Sequence, residues 1–235
     1  MTEADNQAAK PTHLGVIMDG NRRWARAQGL KTVEGHLRGY KNLRDLAIYA
    51  LVEKKIPFIS AFVFSTENWS RAEEEVSYLM NLVLRALTEY LDEFHEKNIR
   101  ILVLGRRDKL SGKVVKAIET AEAKTKENNG GTLALCFNYG GHAEIVDAAK
   151  KLIERGIKVE DLSEEVFASE LYHPEVPPVD MIIRTSGEER ISGFMLWRAA
   201  YSELLFLEKH WPEVTTDDID YVLEQYAKRQ RRFGK

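Results

Sequence analysis

HLGVIMDGNRRWAR, residues 13–26, places an apolar run directly before an acid, a glycine, an amide and two arginines. The β-branched residues of the run favour a strand, and its length suits one buried in a sheet. Asp19, Gly20 and Asn21 predict a turn into a helix, whose free N-terminal amides can bind an anion. Asp19 adds an oxygen ligand of the kind that Mg²⁺ prefers. Taken alone, the segment suits a phosphate and magnesium site, and equally an ordinary turn with Asn21 as the helix cap.

Composition limits the classes of protein to which the chain can belong. With 235 residues, of which 44% are hydrophobic, it can bury a sizeable core as one α/β domain. A net charge of −3 argues against the broad basic surface of a nucleic-acid-binding protein, so no nucleic-acid partner is expected. The one cysteine, Cys136, excludes an intramolecular disulfide and suits a reducing cytosol.

The N-terminal segment and the longest apolar run argue against targeting and membrane-spanning segments. Residues 1–12 are polar and lack the apolar stretch of a signal peptide, so they predict a disordered tail before a domain at 13–235. The longest apolar run, 56–64, contains a proline and a serine and is far too short to span a bilayer. We expect a soluble, cytoplasmic protein, and association with the membrane periphery stays open.

Hydrophobic periodicity predicts strands that alternate with helices along the chain. Strands are predicted at 14–18, 58–65, 100–104, 132–139, 180–185 and 203–207, and helices at 35–55, 71–98, 111–127, 142–155, 163–171 and 216–232. This alternation is typical of an α/β fold. We expect a single domain with a central, mainly parallel six-stranded sheet that is flanked by helices.

Polar clusters follow four of the predicted strands. They cover residues 19–23, 65–71, 138–142 and 184–190. Because the carboxyl ends of parallel strands share one edge, where ligands of open α/β sheets bind, we expect the clusters to meet there. Their arginines are Arg22, Arg23, Arg71, Arg184 and Arg190. Five guanidinium groups exceed the need of one phosphate and suit two diphosphates, or one diphosphate and a second anion.

The sequence motifs of several common enzyme classes are missing. No G-x-x-x-x-G-K-[ST] segment occurs, and no G-x-G-x-x-G follows a strand, so neither a P-loop nor a dinucleotide site is supported. No histidines or cysteines have zinc-binding spacing, and no G-x-S-x-G turn marks a hydrolase. The phosphate interpretation therefore depends on the strand-end clusters alone.

Five segments in register resemble one known family. They are HLGVIMDGNRRWAR, FSTENWSR, NYGGHAEIV, IIRTSGEERISGFMLWRAAYSEL and the terminal RRFG. Together, over residues 13–234, they resemble the cis-prenyltransferases, the undecaprenyl diphosphate synthase or isoprenyl transferase family. The resemblance implies a soluble, Mg²⁺-dependent homodimer with a hydrophobic tunnel for the growing chain.

The resemblance also implies a reaction and its substrates. Such enzymes extend an allylic diphosphate, usually farnesyl diphosphate, with isopentenyl diphosphate, and each new double bond is Z. The expected product is undecaprenyl diphosphate, the precursor of a lipid carrier for cell-wall glycans, which must then reach a membrane. Two alternatives stay open: a synthase of short or medium-length Z-prenyl diphosphates, and a non-catalytic partner subunit.

The same resemblance assigns roles to individual residues. It implies that Asp19 holds Mg²⁺ and helps the diphosphate to leave, with Glu203 as the second metal carboxylate. The allylic diphosphate is expected to lie against Gly20, Asn21, Arg22, Arg23, Trp24 and His36. Further substrate-binding residues after the second strand are Ser65, Thr66, Glu67, Trp69 and Arg71. Isopentenyl diphosphate is expected to lie against Arg184, Arg190, Ile191 and Ser192, with Arg232 and Gly234 reaching the partner's site across the dimer.

Several of these positions also have plain structural interpretations. Asn68 stands where the family is often given a proton acceptor, but a neutral amide is a very poor base near pH 7. We therefore expect Asn68 to orient the substrate while a diphosphate oxygen takes the proton. Trp24 and Trp69 also suit the core, and Glu203 also suits the edge of a sheet.

The sequence departs from the family pattern at three positions. An arginine that contacts diphosphate commonly stands four residues before the motif histidine, His36, but Thr32 is found here. The adjacent Lys31 can substitute only as a point charge. Arg22 replaces a usual glycine. Val63 replaces the alanine frequent in long-chain members, and its extra bulk is expected to shorten the product.

Overall fold

Six parallel strands form the central sheet of the computed structural model, which describes residues 10–229. The strands are β1 (His13–Ile17), β2 (Phe58–Ser65), β3 (Ile99–Leu104), β4 (Gly131–Tyr139), β5 (Met181–Thr185) and β6 (Glu203–Leu207). They lie in the order β3-β4-β2-β1-β5-β6, and all five pairings are parallel. The predicted six-stranded α/β fold is confirmed.

The connection between β5 and β6 contains no helix. Helices fill the other four connections, because a parallel strand pair needs a crossover of a dozen or more residues, and one more helix follows β6. They are α1 (Asn21–Ala27), α2 (Thr32–Ile48), α3 (Glu73–Glu89), α4 (Leu91–Glu96), α5 (Gly112–Lys124), α6 (Gly141–Glu154), α7 (Glu164–Ala168) and α8 (Thr216–Lys228). A π-helical turn, Tyr49–Glu53, extends α2, and a 3₁₀ turn, Thr66–Ser70, follows β2. Between residues 10 and 229, no helix has the length and apolar character needed to cross a bilayer.

The long helix predicted at 71–98 is two helices, α3 and α4. The break lies at Tyr90, whose backbone has φ −105° and ψ 1°. Its ring stacks on Tyr40 of α2 at 5.2 Å between centroids, and the guanidinium of Arg44 lies 4.8 Å from the same ring. The apolar spacing continues across the break, so periodicity alone does not reveal it.

The sheet separates two cores. Alternate side chains of a strand point to opposite faces, as β3 illustrates. Ile101 and Val103 join the larger core, which includes side chains from α2, α3, α5 and α8, whereas Leu102 and Leu104 join the smaller core on the opposite face. The smaller core also contains the buried free thiol of Cys136. The larger core faces the helices that flank the cleft described below.

Thr12, directly before β1, is already hydrogen-bonded to the rest of the domain. The amide N–H of Thr12 donates to Asp180 Oδ2 at 2.5 Å, and its carbonyl accepts from the N–H of Phe58 at 3.0 Å. Residues 10–12 were predicted as the end of a disordered tail, 1–12, yet these backbone bonds hold Thr12 to two strand ends. Residues 1–9 lie outside the described chain.

Candidate functional site

The carboxyl ends of the strands open onto a polar cleft of about 800 Å³. Each of the four predicted clusters contributes to it, the third through His142. Its polar lining consists of Asp19, Asn21, Arg22, Arg23, Arg26, His36, Ser65, Glu67, Asn68, Arg71, His142, Arg184 and Ser192. The structure therefore brings most of the predicted site residues together at one sheet edge, as parallel strands require.

Two hydrogen bonds to the backbone fix the turn after β1. The carbonyl of Asp19 accepts from Thr185 Oγ1 at 2.7 Å and from the N–H of Trp211 at 3.0 Å. Gly20 has φ 98°, and a Cβ there would lie 2.6 Å from Ser186 Oγ. Only glycine fits this position, because the backbone is left-handed and the space is already filled. The turn places the Asp19 carboxylate in the cleft.

The Asp19 carboxylate is surrounded by hydrogen-bond donors. Its Oδ1 accepts from the N–H of Gly20 at 2.7 Å, and its Oδ2 accepts from Arg184 Nη2 at 2.9 Å. Arg23 Nη2 lies 3.3 Å from Oδ1. Burial raises the pKa of Asp19, but the hydrogen bonds from Arg184 and Gly20 outweigh it, so the net pKa is lowered. The Asp19 carboxylate is therefore ionised at neutral pH.

Arg184 is a buried cation with an unused donor. Its side chain is only 5% exposed, and Nη1 donates to the carbonyl of Arg190 at 2.6 Å and to Ser192 Oγ at 2.9 Å. The Nε atom is buried and has no hydrogen-bond partner among residues 10–229. Because an unpaired buried donor is costly, this N–H favours an acceptor such as a phosphate oxygen.

Glu188 links two predicted diphosphate-binding arginines. Its carboxylate pairs with Arg23 Nη1 at 2.7 Å and with Arg190 Nη1 at 2.5 Å. The hydrogen bonds from Arg190 and Arg23 lower the pKa of Glu188. Arg190 is largely exposed and does not line the cleft, and Ile191 packs against the smaller core instead. An incoming anion would compete with Glu188 for both guanidinium groups.

Glu75, which sequence reasoning missed, joins three predicted residues. Its Oε1 lies 3.1 Å from His36 Nε2 and accepts from Arg71 Nη1 at 2.9 Å, and Arg22 Nη1 is 3.8 Å from Oε2. Burial lowers the pKa of His36, and the contact with Glu75 offsets only part of that effect. The i,i+4 spacing of Arg71 and Glu75 is the sequence signal that could have revealed this pair.

The turn after β2 orients Asn68 through its own backbone. Asn68 Oδ1 accepts from the N–H of Ser65 at 3.1 Å, which leaves the amide amino group for the cleft. Ser65 and Glu67 also line the cleft, whereas Thr66 does not and donates to Glu67. A fixed donor suits the predicted orienting role of Asn68, which stays a prediction.

Neither predicted tryptophan lines the cleft. Trp69 donates from Nε1 to Asn138 Oδ1 at 2.8 Å, and its ring meets Phe64 edge-on at 5.2 Å. Trp24 is half-buried in α1. Trp69 packs against the larger core, whereas Trp24 belongs to neither core, and a role of either in substrate binding stays a prediction.

A second, apolar cavity of about 100 Å³ adjoins the cleft between the sheet and helices α2 and α3. Its apolar lining includes Leu43, Leu82, Val83, Leu87, Phe94, Ile101, Leu133, Leu135 and Phe137. Five residues line both spaces: Met18, Asn21, His36, Val63 and Leu79. An apolar cavity thus lies where a hydrophobic tunnel was predicted, and Val63 lines both this cavity and the cleft.

Glu203, the predicted second metal carboxylate, lies at the other end of the sheet. It begins β6 beside Met181, which pairs with Leu14 near the start of β1, whereas Asp19 lies two residues beyond the end of β1. Its Oε2 accepts from Arg229 Nη1 at 2.9 Å. One chain therefore does not bring the two carboxylates together. The predicted residues Arg232 and Gly234 lie outside the described chain.

Asp19 fits the cation that the sequence predicts. Between residues 10 and 229, no group of three histidine, cysteine or acidic side chains is placed to hold a metal ion. Mg²⁺ is commonly bound by one or two carboxylates together with substrate phosphates and water. A single ionised carboxylate beside arginines that attract phosphate matches that donor set.

Arg26 lines the cleft, whereas Lys31, the expected substitute for the missing arginine, does not. Neither Thr32, at the start of α2, nor Lys31 lines the cleft. Arg26 does line it, one helical turn after Arg22, and forms no ion pair within residues 10–229. The sequence signal was its i,i+4 spacing from Arg22, which puts both side chains on one face of α1.

Comparison with known sequences identifies one family. Residues 17–234 match the prenyltransferase family described as undecaprenyl diphosphate synthase. An isoprenyl transferase of Thermotoga maritima is 46% identical over 227 residues, which cover 95% of this chain and 97% of the relative. Isoprenyl transferase 2 of Corynebacterium glutamicum is 43% identical over 228 residues, covering 95% of this chain and 93% of the relative.

Two solved structures are similar over nearly the whole chain. Lavandulyl diphosphate synthase from Lavandula x intermedia, solved in complex with dimethylallyl diphosphate, gives a TM-score of 0.92 at 31% identity, covering 96% of this chain and 99% of that one. A probable undecaprenyl diphosphate synthase from Campylobacter jejuni gives a TM-score of 0.82 at 32% identity, covering 97% and 100%.

Proposed function

Since the chain belongs to the undecaprenyl diphosphate synthase family and is an enzyme of the cis-prenyltransferase type, we propose that it condenses isopentenyl diphosphate onto an allylic diphosphate, farnesyl diphosphate, in this cleft. The observation that carries the proposal is that a cationic cleft and an apolar cavity share five lining residues. A prenyl diphosphate has the same two parts, a charged head and an apolar chain.

The allylic diphosphate binds at the start of α1 in this proposal. Arg22 and Arg23 line that part of the cleft and form partly exposed ion pairs, and Arg23 also donates to the carbonyl of Ser186 at 3.3 Å. Such exposed pairs contribute little, about 0–1 kcal/mol each, so a diphosphate can replace them. The likeness to a structure that holds dimethylallyl diphosphate supports an allylic ligand.

Isopentenyl diphosphate binds at the end of β5 in this proposal. Arg184, whose buried Nε has no partner among the described residues, and Ser192 both line that part of the cleft. A guanidinium that is already oriented by three protein contacts loses little freedom when it binds an anion. The two sites together hold the reactants as one complex, which removes the entropic cost of a bimolecular encounter.

The reaction breaks the carbon–oxygen bond of the allylic diphosphate, forms a carbon–carbon bond to isopentenyl diphosphate and releases one proton. Negative charge develops on the leaving diphosphate, where Arg22, Arg23 and Arg26 stabilise it. Asp19 would hold Mg²⁺ there, and the bound ion would add charge neutralisation. Asn68 orients the substrate, and a diphosphate oxygen accepts the proton because a neutral amide is too weak a base.

The tunnel decides how long the product can become. Its volume of about 100 Å³ is smaller than the roughly 150 Å³ of an engineered cavity that binds benzene. A product of undecaprenyl length, our first proposal, therefore requires α2 and α3 to move apart as the chain grows. The small volume and the bulk of Val63 favour the second candidate, a shorter Z-prenyl diphosphate.

We also propose a cytoplasmic homodimer that delivers its product to a membrane. Glu203 points to a role for the second copy, because its own chain does not bring it to Asp19. A partner chain would be needed to supply this carboxylate, together with Arg232 and Gly234, to a complete site.

Product analysis tests the proposal. The protein is incubated with Mg²⁺, farnesyl diphosphate and labelled isopentenyl diphosphate, and the product is sized. We expect incorporation that stops in EDTA and is lost in the isosteric variant Asp19→Asn, whose amide cannot replace the ionised ligand. No incorporation with any allylic primer would overturn the proposal and favour a non-catalytic partner subunit.

Variants of Val63 test the proposed control of chain length in the same assay. Val63→Ala widens the junction of cleft and tunnel, so the product is expected to lengthen by at least one isoprene unit. Val63→Trp blocks the junction, so products should stop after the first condensations. Unchanged product sizes in both variants would show that the chain does not enter this tunnel.

A further inference from the structure

We propose that Gly39 is a positioning residue for the side-chain amide of Asn21. The inference rests on the proposed function, since Asn21 lines both the diphosphate cleft and the tunnel. Without a side chain, Gly39 leaves space for one end of the amide, and this decides which end faces a bound diphosphate.

Helix α2 makes a close approach to Asn21 at Gly39. A Cβ at Gly39 would lie 2.2 Å from Asn21 Oδ1, 2.8 Å from Cγ and 3.0 Å from Nδ2. Contacts of 2.2 Å do not occur between real Cβ atoms and their neighbours, so any side chain there must displace the amide. Glycine is required here by space, since Gly39 lies inside a regular helix.

The close contact gives the oxygen and the amino group of the Asn21 side chain different surroundings. Asn21 Oδ1 is buried and has no hydrogen-bond partner among residues 10–229. Asn21 nevertheless lines the cleft, so its Nδ2 amino group is the end that the cleft can reach. An amino group donates to a diphosphate oxygen, whereas a carbonyl would repel it. Gly39 thus keeps the acceptor hidden and the donor available.

Gly35, one turn earlier in α2, does something different. A Cβ there would lie 2.2 Å from the backbone carbonyl oxygen of Asn21 and 2.9 Å from the Cβ of Ala25. These neighbours are backbone and helix-packing atoms, which removal of the Asn21 side chain would not relieve. Gly35 therefore governs the packing of α1 on α2, and only Gly39 acts through the amide.

A double-mutant cycle tests this difference. The affinities for inorganic diphosphate and for farnesyl thiodiphosphate are measured in the wild type, Asn21→Ala, Gly39→Ala and the double variant. We expect Gly39→Ala to weaken binding about tenfold when Asn21 is present, the scale of one lost hydrogen bond to a charged group. In the Asn21→Ala background the same change should cost less than about twofold.

Equal losses in the two backgrounds would overturn the proposal, because Gly39 would then act independently of Asn21. Gly112→Ala is the matched control, since a Cβ there meets nothing within 4 Å, and its affinity should equal that of the wild type. A crystal structure of Gly39→Ala without ligand should show the Asn21 side chain displaced. An unmoved side chain would also overturn the proposal.

Two further results separate this proposal from the proposed function. If the wild type binds inorganic diphosphate but no allylic analogue, the proposed function fails while the cycle remains readable with inorganic diphosphate. If the wild type binds neither, both fail. Should Gly39→Ala not fold, Asn21→Asp serves instead, because it keeps the shape of the side chain but replaces the donor with an oxygen. Undiminished diphosphate affinity in Asn21→Asp would overturn the proposal.

Discussion

Arg184 and Arg198 are almost equally buried, with exposures of 5% and 4%, yet they have different surroundings. Every nitrogen of Arg198 has a protein acceptor: Nε donates to the carbonyl of Val176, Nη1 to Glu144 Oε1 at 2.7 Å, and Nη2 to the carbonyl of Tyr172. Arg184 faces the cleft with its Nε unpartnered among the described residues. A fully satisfied buried charge stabilises the fold, whereas an unsatisfied one at a cleft indicates a ligand.

The surroundings of each arginine extend the comparison. Glu144, the partner of Arg198, is 1% exposed, and its second oxygen accepts from the hydroxyl of Tyr139 at 2.5 Å. Burial and the neighbouring carboxylate raise the pKa of Tyr139, which keeps this donor protonated. At the cleft, by contrast, Arg23 and Arg190 share Glu188 in partly exposed pairs that an anion can replace.

The largest expected effect is a loss of stability when Arg198 is removed. Arg198→Ala leaves the carboxylate of Glu144 buried without its partner, which should lower the free energy of unfolding by about 3–5 kcal/mol. Denaturant unfolding measures it, with Arg184→Ala as the matched control, because Asp19 retains Arg23 and access to solvent. Equal destabilisation by both variants would remove the distinction drawn between the two arginines.

A change of similar size in the free energy of unfolding is expected when His13 titrates. The charge of Arg198 acts on this buried histidine. Burial lowers the pKa of His13 to about 4, from 6.5 in the unfolded chain. The unfolded state then binds more protons between these values, so the free energy of unfolding should fall by up to about 3 kcal/mol from pH 6.5 to 4. His13→Gln should flatten this part of the profile. An unchanged slope would show that another group is responsible.

Removal of Arg184 from the cleft is expected to lower activity rather than stability. Arg184→Ala removes a preorganised cation from the isopentenyl diphosphate site, so kcat/KM should fall about 100-fold while the unfolding midpoint stays near that of the wild type. Arg184→Lys should recover little, because an ammonium cannot reproduce the fork that reaches Arg190, Ser192 and the cleft. Recovery of full activity by lysine would contradict the role given to Nε.

The smallest effect is expected at Arg26, a cleft cation without an ion pair in the described chain. Arg26→Ala should weaken the binding of inorganic diphosphate about two- to fivefold at low salt, the scale of one exposed charge. The loss should shrink as salt is added, because the charge is solvent-exposed. Arg38→Ala, an exposed arginine of α2 outside the cleft, is the control. Equal effects of the two would mean that only net charge matters.

Much of the fold could be predicted from the sequence. Apolar runs mark the strands, and the turn residues that follow them mark where the strands end. The bounds of β2 and β6 agree with prediction, and the polar clusters meet because the strands are parallel. The break at Tyr90 could not be predicted, because it depends on a ring packed on α2 while the apolar spacing continues.

The site was harder to predict than the fold for a physical reason. Motif residues identify which side chains are polar, but not which of them pair with one another once folded. The pair of Arg23 and Glu188 emerges only from the geometry, because the two residues lie far apart in the sequence, whereas the spacing of Arg71 and Glu75 was a usable signal. The distance between Glu203 and Asp19 likewise follows from strand register, which the motif order does not contain.

One measurement tests most directly whether the unpartnered Nε of Arg184, at the end of β5, marks the diphosphate site. It is a crystal structure of the protein with Mg²⁺, isopentenyl diphosphate and farnesyl thiodiphosphate. We expect Arg184 Nε to donate to a diphosphate oxygen at about 2.9 Å, while Arg198 keeps all of its protein partners. A diphosphate bound elsewhere, with Arg184 Nε still lacking an acceptor, would contradict this account.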